Sequence, residues 1–325
     1  MFIKYIPHPC RREYFAIILL IAEIVLFSIF VPNFANPLNF FRVIQNNTEV
    51  AIISIGMTMV MLLGGIDLSV GAVMGVVSVV AGNMIERNMR TVWVVLAAIV
   101  IGLLVGSING AIISKLHIPD MLATLATGNI WKAVIFGLLG GKWLTSLKPS
   151  FRGITTSLIG PIPVLLILVL IVYAVFYYVF MHTRFGRYIY AIGCNESAAK
   201  LSGINVSNVR MKAYCITGAL AGLTGLLYIA RMGSVEMSIG GTTAIQCIAA
   251  VTIGGIGAKG SGARGSVIGT LAGVFFIGFL RNGIVIMGIP SLLENFFIGL
   301  LMIICVLVDS INAMRRANKP VVKGA

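Results

Sequence analysis

Ten apolar runs recur along the chain, at residues 15–31, 50–63, 70–85, 92–113, 121–139, 162–181, 211–230, 243–253, 267–280 and 292–308, with polar stretches between them. At 1.5 Å per residue, a run of about 20 residues crosses a hydrocarbon layer of roughly 30 Å. The pattern predicts an all-α fold, a polytopic transmembrane helical bundle of about ten crossings. Residues 50–63 cross only if irregular flanks complete them, and 243–253 are shorter still. Such short helices belong in the middle of a bundle. Within the long runs, Gly102, Gly106 and Gly110 recur at every fourth position, a spacing that lets a neighbouring helix approach closely. Glu23 and Lys132 lie inside apolar runs, where a charge must face other helices, a cavity or the interface.

Between residues 50–63 and 70–85 stands Gly64-Gly65-Ile66-Asp67-Leu68-Ser69-Val70-Gly71. Hydrocarbon offers no partner to an opened backbone, so this break must be covered by protein or face water. Two readings stay open. Asp67 and Ser69 precede an apolar helix, where either side chain can cap the free N–H groups of the first turn. Alternatively, the glycines let two helix ends pivot as a transport path opens, with Asp67 fixing one state. A second glycine-rich break, GGIGAKGSGARG at 254–265, follows the short run 243–253 in the other half of the chain. Paired interrupted helices of this sort point to a central translocation path.

Of 325 residues, 58% are hydrophobic and 10% charged, and the mean hydropathy is +1.02. The formal charge of +14 does not come from a folded basic domain, so nucleic acid is not an expected partner. With both termini placed in the cytoplasm, the inner connections carry 15 of the 24 Lys and Arg residues, and the other 9 lie outside or in outward halves of the runs. Lys4, Arg11 and Arg12 precede the first run, and no small-residue cleavage site follows it, only Val31-Pro32-Asn33-Phe34; a retained first helix is expected. The five cysteines are scattered, and no two of the three histidines share metal-ligand spacing, so neither a disulfide framework nor a metal site is expected. The glycine-rich segments lack the spacing of a phosphate loop, and no nucleophile has a paired base. No catalytic residue and no cofactor are assigned.

The longest inner connection, 182–208, contains Asn195-Glu196-Ser197-Ala198-Ala199-Lys200-Leu201-Ser202-Gly203. Asn195 suits an N-cap, Glu196 a first turn, the alanines a helix and Gly203 its end. Three stretches, GGIDLSVG at 64, RFGRYIYAIGCNESAAKLSGI at 184, and IAAVTIGG with GSVIGTLAG between 248 and 273, together resemble the permeases of ribose-, galactose- and xylose-type ABC importers. The resemblance spans nearly the whole chain. It implies a single permease domain over 1–325 in a bacterial inner membrane, surrounded by lipid. It further implies a second permease copy or paralogue, a cytoplasmic ABC ATPase subunit, and an extracytoplasmic sugar-binding protein. Carried over by position, Glu196, Ala198, Ala199 and Gly203 become the ATPase-coupling helix.

Gly64, Gly65, Asp67, Ser69, Gly71, Asn109, Thr124, Thr127 and Gln246 are the expected gate and translocation path. Where the family carries acidic residues shortly before the IAAV run, this chain has Ala244 and Gln246. The expected function is transport of a monosaccharide. Alternatives are an ABC permease for nucleosides or another small polar solute, autoinducer-2 included, or, from other classes, a self-sufficient secondary carrier or an intramembrane enzyme.

Overall fold

A computed structural model describes residues 11–148, 151–160, 162–256, 265–290, 293–294, 296–301, 303–304 and 307. In chain order the helices are α1 (Arg11–Phe30), α2 (Pro37–Asn46), α3 (Thr48–Leu62), α4 (Val70–Glu86), α5 (Thr91–Leu116), α6 (Asp120–Leu139) and α7 (Gly153–Thr156). A two-stranded antiparallel hairpin, β1 (Leu158–Ile159) and β2 (Ile162–Pro163), leads into α8 (Val164–His182), α9 (Arg184–Cys194), α10 (Glu196–Leu201), α11 (Val206–Met232), α12 (Thr243–Ile253) and α13 (Val267–Ile286). Six of these, α1, α5, α6, α8, α11 and α13, are long and apolar enough to cross a membrane, and α3, α4 and α12 are shorter apolar helices. Of the expected run at 292–308, residues 293–294, 296–301, 303–304 and 307 are described, nearly all as helix, whereas 257–264 of the second glycine break lie outside the described residues.

Two helices of ten or more residues, α2 and α9, were not legible as apolar runs. Asn36 accepts from Leu38 N–H and Pro37 opens α2; Thr183 accepts from Gly186 N–H and starts α9. Both are amphipathic, and α9 buries Gly186, Ile189 and Ile192 while its other face stays polar. Their mixed composition reads as connection because only one stripe of each is apolar.

The short helices occupy the centre. All fifteen residues of α3 are buried, as are Thr243, Ala244 and every residue from Gln246 to Ile253 in α12. A helix buried all round must be apolar all round, which is why α3 shows no polar face. The long helices α1, α5, α6 and α8 form the rim and expose Ile18, Leu104, Leu122 and Ile171. The glycine spacing of α5 does what it predicts: Gly102 and Gly106 lie against Gly218 of α11 so closely that an added methyl would overlap backbone.

One end of the bundle carries α9 and α10, and the other carries α2, α7 and the hairpin. At the hairpin end, Leu144 and Val235 exchange backbone hydrogen bonds of 3.1 and 2.8 Å, and Arg231 pairs with Glu49 at 2.9 Å. From Val235 the chain dips back into the bundle along α4. It passes Gly82 beside Leu144 and Val235, Gly75 beside Ile239, and reaches Gly240 in backbone contact with Gly71. The dip lets α12 begin well inside the bundle, so eleven residues suffice for it.

Candidate functional site

The break after α3 is built by a glycine stop. Gly64 has φ +86°, its N–H reaches Met61 O at 3.0 Å, and Gly65 N–H reaches Val60 O at 3.0 Å. This paired closure of a helix needs a left-handed residue, for which glycine has no steric penalty. α12 ends the same way at Gly255, φ +99°, with Gly255 N–H on Thr252 O and Ile256 N–H on Val251 O. The two central short helices therefore share one terminating device, one in each half of the chain.

Beyond Gly65 the backbone runs open to Ser69, and two helices, α5 and α6, supply its outside partners. Leu68 N–H donates to Thr124 Oγ1 of α6 at 3.1 Å, and the Thr124 hydroxyl faces the carbonyls of Asp120 and Ile66 at 2.8 and 3.2 Å. Asp67, 3% exposed, accepts from Ser69 N–H at 2.9 Å and Ser69 Oγ at 2.6 Å. The Asn109 side-chain amide of α5 donates to Ser69 Oγ at 2.7 Å, while Asn109 Oδ1 has no partner among the described residues. Ile66, Leu68 and the Ser69 hydroxyl are thus bonded to helices other than α3, as a switching segment requires.

The sequence expectation that Asp67 or Ser69 caps α4 is corrected here. Ser69 occupies the cap position and its carbonyl accepts from Val73 N–H at 2.9 Å, but its side chain makes no cap bond. Asp67 reaches only two residues ahead, closing a local turn. Of the expected path residues, Gly65, Asp67, Ser69, Asn109 and Thr124 come together. Thr127 sits one turn along α6, bonded to Thr124 O at 3.3 Å. Gly64 ends α3, and Gly71 lies against Gly240. Gln246 stands apart from the cluster on α12, its amide donating to Thr242 Oγ1 at 3.2 Å. Lys132 and Asn129 stand on the exposed side of α6, and Glu23 is turned inward at 7% exposed.

Sequence reading missed three members. Tyr214 of α11 donates to Asp120 Oδ2 at 2.7 Å, and that carboxylate packs against Gly65. Gly240 is the third. Asp120 stood out in the sequence only as a helix start, and Tyr214 is an unremarkable member of an apolar run. Their meeting depends on a contact 94 residues apart.

On the 182–208 connection, α10 is a complete small helix. Asn195 Oδ1 accepts from Ala198 N–H at 3.0 Å, and Gly203, φ +79°, closes it with Gly203 N–H on Lys200 O and Ile204 N–H on Ala199 O. Glu196 bonds Lys200 Nζ and the Arg210 guanidinium of α11, each at 2.7 Å. The Lys200 hydrogen bond, with the Arg210 charge, holds its carboxyl below the ordinary carboxylate range, so it stays ionised at neutral pH. Ala199 is turned inward, whereas Ala198 is exposed and Leu201 is 91% exposed.

A family described as branched-chain amino acid transport system / permease component matches residues 39–306. The ribose import permease protein of Haemophilus influenzae is 34% identical over 304 residues, 92% of this chain and 93% of that protein. The ribose import permease protein of Escherichia coli K12 is 33% identical over 313 residues, 94% and 96% of the two chains. The autoinducer 2 import system permease protein of Yersinia enterocolitica is 28% identical over 296 residues, 90% and 81% of the two. No solved structure matches.

Proposed function

The chain belongs to this family of transport-system permease components, and from that premise we infer that it is the membrane-spanning subunit of an ATP-driven ABC importer for a monosaccharide. The observation that carries the reading is the match to ribose import permeases over more than nine-tenths of both chains. The three motif stretches support it as well. The reading makes the whole chain one permease domain of ten crossings in a bacterial inner membrane, with both termini and the 182–208 connection in the cytoplasm. The end bearing α9 and α10 then faces the cytoplasm and the hairpin end faces the binding protein.

Transport needs two further roles that this reading assigns to partners. A cytoplasmic ABC ATPase docks on α10, where Ala198 and the outward Leu201 offer a small apolar face beside the ionised Glu196. A second permease copy or paralogue completes the path. Lys132 and Asn129, exposed along a 20-residue span, favour a watered interface there, since a charge facing lipid is costly. The break at Gly64–Gly71, with Asn109, Thr124 and Thr127, serves as the gate, and Gln246 lies on the path side of α12.

The test is reconstitution of the chain with its ATPase and binding protein, followed by uptake of labelled D-ribose. Glu196→Lys and Leu201→Ser are expected to leave insertion normal while reducing ATPase co-purification and uptake together. Full retention of both by the two variants rejects α10 as the docking element. The relative from Yersinia enterocolitica favours one second reading, import of autoinducer-2. Competition of D-ribose uptake by that solute separates the two.

A further inference from the structure

We propose that Arg210, Tyr214 and Asp120 are positioning residues that carry displacement of α10 to the backbone break at 64–69. The inference rests on the ATPase-docking reading of α10 and assigns what lies between that surface and the gate. Each link is a direct contact. Glu196 of α10 grips the Arg210 guanidinium at 2.7 Å. Arg210 and Tyr214 are four residues apart and so share one face of α11. The Tyr214 hydroxyl, on a side chain 1% exposed, donates to Asp120 Oδ2 at 2.7 Å.

The Asp120 carboxylate occupies the space beside Gly65 that a side chain would fill. One turn further along α6, Thr124 holds Ile66 O and Leu68 N–H. The first turns of α6 and α11 therefore grip the break jointly, and neither grip touches the expected docking surface except through Glu196.

The parts have the stiffness the linkage needs. α11 is a continuous helix of 27 residues wedged against α5 through glycine-to-backbone contacts, so its first turns move with α10 instead of bending away from it. The break is the compliant member. It is non-helical, with Ile66 O and Leu68 N–H held by Thr124 of α6 and the Ser69 hydroxyl held by Asn109 of α5. Shifting Tyr214 withdraws the Asp120 carboxylate from Gly65, and the break is then free to exchange its bond set. A two-state element biased from a distance is the physical requirement for such coupling.

The experiment uses the complete importer, chain with ATPase and binding protein, in lipid vesicles. Amide exchange across residues 60–69 is followed between the resting complex and the complex trapped with ATP and vanadate, a readout that does not depend on which sugar is carried. In the native importer, exchange over this segment is expected to change on trapping. Tyr214→Phe removes one hydroxyl without altering shape, Asp120→Asn weakens the acceptor, and Gly65→Ala displaces the carboxylate. All three are expected to keep ATPase co-purification and ATP hydrolysis within about twofold while the exchange change is lost. Labelled D-ribose uptake then falls about tenfold, and the Tyr214→Phe/Asp120→Asn double variant is no worse than the weaker single.

The proposal is overturned if exchange at 60–69 responds to trapping as in the native complex, if the two single effects multiply, or if Tyr214→Phe loses the ATPase. Glu196→Lys separates the two readings. If it retains the ATPase, the docking assignment fails; if it loses the ATPase while the other three variants behave as native, the linkage alone fails.

Discussion

A carboxylate that is 3% exposed keeps its charge only where donors face it, and Asp67 finds both of its donors on Ser69. Which N–H lies within reach depends on the backbone from Ile66 to Ser69, and that backbone is pinned by Thr124, 58 residues from Ile66 in the chain. Hence the sequence showed a polar break with a carboxylate in it, while the partner of that carboxylate was not legible. Asp67→Asn retains a side-chain oxygen for Ser69 and should insert normally. If the charge biases the break toward one conformation, uptake falls several-fold, and we expect this outcome because the side chain does not cap α4. Asp67→Ala should also lose about 1–3 kcal/mol of stability by orphaning the Ser69 donors. Thermal unfolding in detergent, beside uptake of labelled D-ribose, checks both; native uptake by the Asn variant returns Asp67 to a purely local turn.

At the level of the element, α10 shows how far local chemistry can be trusted. Asn195, Glu196 and Gly203 took the places their residue types dictate, because capping is settled within about six residues and needs no distant partner. The same holds for the glycine spacing of α5, although its mate on α11 could not be named from sequence. By contrast α2 and α9 were read as connections, since an amphipathic helix lying against a bundle has too few apolar residues to stand out among membrane spans. Nothing lies within 4 Å of a side chain added at Gly203, so any effect there is conformational and not steric. Gly203→Val should cost about 1–2 kcal/mol in its left-handed conformation and fray α10, whereas Gly203→Asn should be nearly silent. Amide exchange over residues 195–203 distinguishes them, and equal protection in both variants would show that the surrounding bundle, not the glycine, ends the helix.

For the whole molecule, the alternation of apolar runs revealed a polytopic bundle, and the shortness of 50–63 and 243–253 placed those helices at its centre, where α3 and α12 are found. The dip from Val235 to Gly240 escaped notice because it is short and lacks a run of its own; the α4 glycines at 71, 75 and 82 that accommodate it are meaningful only once the two segments are seen side by side. The proposed orientation places 15 of the 24 Lys and Arg residues inside, the bias expected of cytoplasmic connections. Thr145 lies between Leu144 and the buried Leu147 at the hairpin end, and Ser202 lies just past α10; both are exposed. In a variant lacking all five native cysteines, Thr145→Cys should react with an impermeant maleimide added to whole spheroplasts. Ser202→Cys should react only after the membrane is opened. Both substitutions leave the glycine stops and the α10 ion pairs untouched, so a labelling difference reports sidedness and not damage. Reaction of both sites from the same side would break the assignment of α10 to the cytoplasm, and with it the route by which an ATPase could reach this permease.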